Sequence, residues 1–379
     1  MTMILKRHHK RKNILLIEPG YESHYPPLGL MKISTWHKNK GDVVDFIKDN
    51  NNNHDFFGSN QVKLKKNYDK IYITTLFTYH AITVIESIKH FQSQYPHAEI
   101  KVGGIFATLL PNVIKEQTGI NPHLGLLDGA EHVAPDYSLF PKLRCSITFT
   151  SRGCKRKCMF CAVRCHEPQF FIKEDWEKDI DISKERIIFW DNNWLFSPRF
   201  VTDVENLKRL NKIFDFNQGL DCRLFDKEKA KLLSTVRIKP LRFAFDNHSE
   251  EGYIQSAIKT AEKIGFNDIR VYVLYNSEDP NDTPDYFFYR INELNKLGVL
   301  SYPMRYRSIN SIENHFVSPR WEKPILRAVK LCLMFFYSYG MIRRNREAFT
   351  ALFGKNAKEF KEKMCKIYES DKKKKKKNK

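Results

Sequence analysis

Apolar positions along this chain fall in short unbroken runs separated by longer amphipathic stretches. Residues 13–18 carry Ile14, Leu15, Leu16 and Ile17 without interruption. A run this short and continuous reads as a strand of a parallel sheet, covered on both faces. Residues 26–37 follow as a helix, and 43–47, 70–74 and 99–102 repeat the strand signal. Residues 79–94 and 111–117 read as further helices, 50–53 as a polar loop, and 124–127 close the set. Strands alternating with helices predict an α/β fold: a doubly wound, Rossmann-like parallel sheet over residues 13–142. Ligands of such a sheet bind beyond the carboxyl ends of its strands. One of those ends is Gly103-Gly104, which lets backbone approach a ligand closely or simply makes a tight strand-to-helix turn.

The alternation resumes over residues 144–307. Strand signals fall at 146–150, 186–191, 215–221, 241–246, 269–275 and 299–305. Helical stretches lie between them at 173–182, 198–213, 226–234, 250–264 and 283–297. Residues 311–370 read as helical and basic, with apolar runs at 331–337 and 349–353.

A length of 379 residues suggests two or three domains, and 42% apolar residues suffice for their cores. Eight cysteines are too few for a disulfide scaffold, and their clustering fits a reducing cytoplasm with a metal site. No export signal is expected, because residues 14–17 are too short an apolar core and run straight into Glu18 and Pro19. No membrane span is expected either. The longest apolar stretch, 331–342, is about 12 residues and falls short of the ~20 needed.

The net charge of +20 is unevenly spread. A basic arm, residues 1–12, carries Lys6, Arg7, Lys10, Arg11 and Lys12, and a poly-lysine tail spans 371–379. Self-repulsion should leave the run 372–377 disordered. Such a tail either touches nucleic acid by counterion release or only aids solubility.

The chemistry concentrates in one run, Gly153-Cys154-Lys155-Arg156-Lys157-Cys158-Met159-Phe160-Cys161. Its spacing is C-x3-C-x2-C. Three thiolates this close can hold three irons of a cubane cluster and leave the fourth open to a ligand. Cys165 extends the run to four cysteines, which could also close a tetrahedral zinc site or a ferredoxin-like cluster, although the latter normally starts C-x2-C. Arg152, Lys155, Arg156 and Lys157 favour thiolates and an anionic cluster, or form a solvated basic loop.

With Phe160 completing C-x3-C-x-aromatic-C, the run resembles the motif of the radical S-adenosylmethionine (SAM) enzymes. The six strand-helix units, with the cysteine loop after the first strand, resemble that superfamily's partial (β/α)6 TIM-like barrel over residues 143–310. The resemblance implies a 4Fe-4S cluster on Cys154, Cys158 and Cys161. It also implies SAM as cosubstrate, cleaved reductively to methionine and a 5′-deoxyadenosyl radical that abstracts a substrate hydrogen. An external electron donor of flavodoxin or ferredoxin type is implied as partner.

The order of residues 26–30 (Pro-Pro-Leu-Gly-Leu), Gly103-Gly104, Pro111, residues 129–131 (Gly-Ala-Glu) and 135–140 is similar to the cobalamin-binding domain preceding many radical SAM barrels. An Asp-x-His-x-x-Gly motif is missing, and the nearest run, His24 to Gly29, has the wrong spacing. No axial histidine is therefore indicated, although members of that family often bind cobalamin without one. Cobalamin would imply methylation of an unactivated carbon, or a rearrangement.

The same resemblance nominates cofactor contacts. Phe160 should pack near the adenine. Asp191 and Asn192 end the second barrel strand, where the family meets the methionine amino group; helix capping is the alternative for Asp191. Gln218, Asp221 and Arg223 should face SAM, with Arg223 clamping a carboxylate or forming a structural ion pair. Asp246 should meet the ribose or carboxylate. Asn276 stands where many relatives carry a glycine turn near the adenine. Gly103 and Gly104 are candidates at the cobalamin module. Residues 303–307 should face the substrate mouth, and residues 311–370 should cap the barrel or grip a substrate. Cys222, at a strand end, is a candidate hydrogen-atom donor, or a small buried hydrophobe.

The basic excess hints at nucleic acid or a phosphorylated metabolite as substrate, although over half of it lies on the termini. A reading from another class is a non-enzymatic four-cysteine zinc or iron–sulfur protein that binds nucleic acid through those termini. tRNA methylthiotransferases fit less well: their N-terminal domain supplies three more cluster cysteines, and no cysteine precedes Cys145 here.

Overall fold

The computed structural model describes residues 10–23, 25–49, 63–313, 315–335, 342 and 344–377. The apolar run at residues 14–17 lies in β1 (Asn13–Pro19), at the centre of the first sheet. β1 pairs in parallel with β2 (Val43–Asp49) and β3 (Lys70–Thr75), and β4 (Glu99–Gly104) flanks β3, giving the order β2-β1-β3-β4. Both faces are covered, which is why the run does not alternate. Ile14 and Leu16 pack on Leu28, Leu30 and Met31 of α1 (Leu28–Lys38). Leu15 and Ile17 pack with Val84, Ile88 and Phe91 of α2 (Ala81–Gln94).

Beyond β4 run α3 (Ile105–Leu109), α4 (Pro111–Thr118) and the short α5 (Asp128–Glu131). Residues 124–127 do not extend the sheet. Gly125 turns the chain at φ +72° and Leu124 is 54% exposed, so no extended buried run forms. At Gly104 φ is +116°, and a Cβ there would overlap the Thr75 carbonyl oxygen. Thr75 Oγ1 accepts from Ala107 N at 2.9 Å, locking this strand-to-helix turn. Close packing against β3 therefore accounts for glycine at 104.

The second unit contains β5 (Cys145–Thr148), β6 (Ser151–Arg152), α6 (Val163–His166), β7 (Phe171–Ile172), β8 (Arg186–Phe189), α7 (Phe200–Leu210) and β9 (Ile213–Phe216). It continues through α8 (Lys227–Leu233), β10 (Arg237–Ile238), β11 (Leu241–Ala244), α9 (Tyr253–Ile264), β12 (Ile269–Tyr275), α10 (Pro284–Lys296) and β13 (Leu300–Arg305). The parallel sheets β10-β9-β8-β5 and β11-β12-β13 meet through a parallel bridge between Leu220 and Phe243. β5, β8, β9, β11, β12 and β13 thus follow one another as a partial barrel. The expected helix at 173–182 is only a 3-10 turn, Trp176–Asp179. Its polar side chains serve tertiary contacts instead: Asp179 accepts from Lys32 Nζ at 3.0 Å and Thr148 Oγ1 at 3.1 Å.

The first sheet closes the open side of the barrel. Cys145 and Ile147 of β5 and Ile188 of β8 share one core with Ile14, Leu16, Met31 and Phe46. Lys32 also donates to the Glu131 carbonyl at 2.9 Å, and Asn217 Nδ2 donates to Tyr25 Oη at 2.9 Å.

α11 (Lys323–Phe335), α12 (Arg346–Phe353) and α13 (Ala357–Lys377) follow. Phe349 and Phe360 pack on Phe288 of α10, with Phe353 between them, so these helices cover the outside of the barrel. α13 continues through the lysine run, which is helical to residue 377 rather than disordered. Arg327 Nη2 donates to Asp371 at 2.6 Å and ties this last stretch to α11. Residues 1–9 of the basic arm, His24 and the loop at 50–53 lie outside the described residues. Among the described residues, no helix is long and apolar enough to cross a membrane.

Near Trp176, Asp203 of α7 is 1% exposed and neither carboxylate oxygen makes a well-formed hydrogen bond. Burial pushes its carboxyl up to about 6, with Arg199, 3.9 Å away, opposing. The native state therefore holds this proton more tightly than the unfolded chain. Stability is full at acid pH and is lost as pH rises through about 4 to 6. Asp203→Asn is expected to stabilise the protein by up to about 3 kcal/mol at pH 7.5 and to flatten this slope. Urea melts at pH 5 and 7.5 test this; identical pH slopes for variant and wild type would refute it.

Candidate metal and cofactor site

The cysteine loop begins where β6 ends. Gly153 has φ +73°, and a Cβ there would overlap the Gln169 carbonyl oxygen, so glycine alone lets the loop leave against the returning chain. Cys154, Cys158 and Cys161 follow, all half-buried. Arg156 N donates to Cys154 Sγ at 3.4 Å, and Cys161 N donates to Cys158 O at 3.1 Å. Burial pushes the Cys158 thiol up to about 11, with Cys161 and Cys154 adding repulsion. Burial likewise raises Cys161, and Cys154 adds to it.

Two thiols raised by burial, beside a third on the same loop, suit a bound cationic metal that takes them as thiolates. Among the described residues no three His, Cys, Asp or Glu side chains converge on one point as a single ion requires. A cubane cluster takes each thiolate on a different iron, so its ligands stand apart. Cys165 is exposed in α6 and adds nothing to a four-cysteine zinc site. The donor set fits a three-cysteine cluster.

Glu167 organises this loop, and no motif had singled it out. Its Oε2 accepts from Gly153 N and Asn192 Nδ2, both at 2.9 Å. Its Oε1 pairs with Arg152 Nη2 at 3.1 Å. Arg152 in turn lies over the Phe149 ring, 3.9 Å from its centre. One signal was available: Glu167 is the only carboxylate between Asp136 and Glu174, in a stretch dense with Arg and Lys.

At the strand ends the nominated residues divide. Asp191 is buried and accepts from Thr150 N, Thr150 Oγ1, Ser151 N and Ser151 Oγ at 2.7–3.1 Å. Its carboxylate is spent holding the entry to the cysteine loop. Asn192 serves Glu167. Asn193 donates to Asp221 Oδ2 at 3.1 Å, while its own Oδ1 is buried without a partner. Asp221 also accepts from Arg156 Nε and from Arg223 Nε, the latter at 2.7 Å. Burial raises the Asp221 carboxyl, but Arg223 and Arg156 outweigh it and hold the group below the usual range. Arg223 further donates to Ser249 Oγ at 2.9 Å. Asp246 accepts from Leu274 N at 2.8 Å, beside the buried Glu250. Burial pushes both carboxyls up, and their mutual proximity adds to the rise for Glu250.

A cavity of about 540 Å3 opens here, lined by Cys158, Phe160, Arg223, Asn247 and Glu278 among others. Gln218 is exposed on the turn after β9 and does not line it. Cys222 is packed in the barrel core, its Sγ 4.0 Å from Ala244 O, and also lies off the cavity wall. That placement favours the small-hydrophobe reading of Cys222. Asn276 adopts φ +62°, a left-handed conformation that Asn tolerates. Its amide is committed to Phe316 O at 3.0 Å and Ser318 N at 2.9 Å, so it anchors the segment crossing β12 and β13. Gly103 and Gly104 lie on the other sheet, in register with Thr74 and Thr75.

The fold and site together define a class: a Rossmann-like module, a partial barrel with three cysteines after its first strand, and C-terminal helices. No family model matches the chain and no curated protein is significantly similar to it. Solved structures do share the fold. The radical SAM methyltransferase TsrM from Kitasatospora setae, with cobalamin and a [4Fe-4S] cluster bound, matches at TM-score 0.63 and 12% identity, over 79% of this chain and 76% of that one. The same enzyme with tryptophan substrate and a SAM analogue bound matches at TM-score 0.61 and 12% identity, over 78% and 73%.

Proposed function

We propose that this protein is a radical SAM enzyme, with Cys154, Cys158 and Cys161 as ligands of a 4Fe-4S cluster and the adjoining cavity as the SAM site. One observation carries the proposal: the three thiols stand on one loop after the first barrel strand, and Cys158 of that loop lines a cavity with Phe160 and Arg223, in a chain with the fold of TsrM. When bound, such a cluster supplies the electron that cleaves a carbon–sulfur bond of SAM. The chain's residues do the positioning. Glu167 and Asp191 fix the two ends of the loop's entry. Arg156 and Arg223 bring positive charge beside the thiols, anchored by Asp221. Arg223 also lines the cavity; with its Nε and Nη1 already donating to Asp221 and Ser249, it offers the SAM carboxylate a fixed positive charge rather than a free fork. Phe160 offers a flat apolar face for the adenine.

The N-terminal module makes cobalamin-dependent methylation the reaction subclass we favour, since TsrM carries cobalamin on the same fold. Exposed Lys155, Lys157 and Arg164 near the thiols suit an acidic electron donor of flavodoxin or ferredoxin type. Eight free cysteines fit a cytoplasmic enzyme.

The test is anaerobic reconstitution, then dithionite and SAM, with and without hydroxocobalamin. Wild type is expected to turn SAM over, giving 5′-deoxyadenosine or, by methyl transfer, S-adenosylhomocysteine. Stoichiometric zinc in the native protein with no SAM turnover would overturn the proposal and favour the metal-binding module.

A further inference from the structure

We propose that Arg305 and Arg307 form an oxyanion-binding site for a small planar substrate, at the seam between the barrel and the first sheet. This deepens the reading above by naming the substrate class: an aromatic carboxylic acid or phosphate ester.

Arg307 follows β13 and reaches across to the turn Thr78–His80 beyond β3, its guanidinium 4.1 Å from the Tyr79 ring centre. Its Nη1 is buried and has no hydrogen-bond partner. Arg305 is close enough that Arg307, added to burial, helps pull its pKa down while Tyr275 opposes. Arg305 Nη2 donates to Phe316 O at 2.8 Å. Among the described residues, neither arginine makes an ion pair with a carboxylate.

Two partly desolvated cations without a paired carboxylate repel one another, and their contacts to Phe316 O and the Tyr79 ring leave that charge uncompensated. A ligand oxyanion completes them, because a guanidinium fork binds carboxylate or phosphate in two parallel hydrogen bonds. The wall beside them is aromatic and flat. Phe77 and Tyr79 stack at 4.9 Å and 15°, and Tyr21 and His80 at 5.5 Å and 17°. Burial and Arg307 lower the His80 pKa, with the nearby Glu22 opposing. Tyr21 is buried but Phe77, Tyr79 and His80 are half-exposed, so a planar body meets the open edge of this stack while its anionic end meets the arginines.

Calorimetric titration of the reconstituted full chain, without SAM or reductant, tests this with benzoate, phenyl phosphate and neutral benzamide. Benzoate or phenyl phosphate should bind wild type, and benzamide should not. Binding of benzoate points to a carboxylate substrate, and of phenyl phosphate to a phosphorylated one. Arg307→Met should weaken that binding about tenfold or more, and Arg307→Lys should keep part of it. Without probe, Arg307→Met should melt at the same temperature as wild type or higher, since it removes a repulsion; a structural arginine would give the opposite. The proposal fails if neither anion binds wild type, if benzamide binds equally well, if Arg307→Met binds the anion undiminished, or if that variant melts lower. SAM turnover enters none of these readings, so failure here is separable from failure of the radical SAM reading.

Discussion

Cys158→Ala should empty the protein of its cluster and reduce SAM turnover to background. Iron in the reconstituted wild type should be about four atoms per chain. The variant leaves only two of the three thiols, and a cubane held at two corners is exposed to loss during desalting. Cys158 suits the test because its own thiol feels both Cys161 and Cys154, placing it among the three. Cys165→Ala is the matched control. That thiol is exposed in α6, and its removal should leave iron content and turnover unchanged. Loss of metal in both variants would mean a four-cysteine site and would sink the three-ligand assignment. Because the metal is measured as well as the product, a folded, iron-loaded but inactive protein would be recognised as lacking its proper reductant or substrate.

The strands and the cysteine run were readable because each rests on a local pattern. Residues 14–17 are apolar throughout, and only a two-faced strand keeps four successive side chains dry. The cysteine spacing likewise needs no tertiary information. What the chain order hides is where a polar side chain spends its hydrogen bonds. Asp191, the predicted end of the second barrel strand, lies two residues past it and faces back to Thr150 and Ser151, 41 and 40 positions earlier. Asn276 holds residues 316–318, a segment with no sequence signal of its own. Residues 173–182 have helical composition, but Asp179 is worth more bonded to Lys32 and Thr148 than exposed on a helix. The lysine run shows the converse. Repulsion argued against structure, and the ion pair of Asp371 with Arg327 supplied an anchor that composition does not reveal.

Glu167→Ala should be the most destabilising single change near the site, by about 3–5 kcal/mol, the usual cost of stripping one partner from a buried ion pair. Arg152 would lose its carboxylate while 7% exposed, with only Glu131 nearby at 3.7 Å. Gly153 N and Asn192 Nδ2 would lose their acceptor at the same time. Iron loading should fall with stability even though Glu167 ligates nothing, because Gly153 immediately precedes Cys154. Glu167→Gln should cost less. Its carbonyl can still accept from Gly153 and Asn192, and only the charge facing Arg152 disappears. Combining Glu167→Gln with Arg152→Gln removes both charges and should bring stability closer to wild type than Glu167→Gln alone. Urea melts and iron analysis on wild type, the two Glu167 variants, Arg152→Gln and the double variant decide the matter. Additive losses in the double variant would show that the two side chains act separately, and would remove Glu167 as the residue through which the first barrel strand holds the cysteine loop in place.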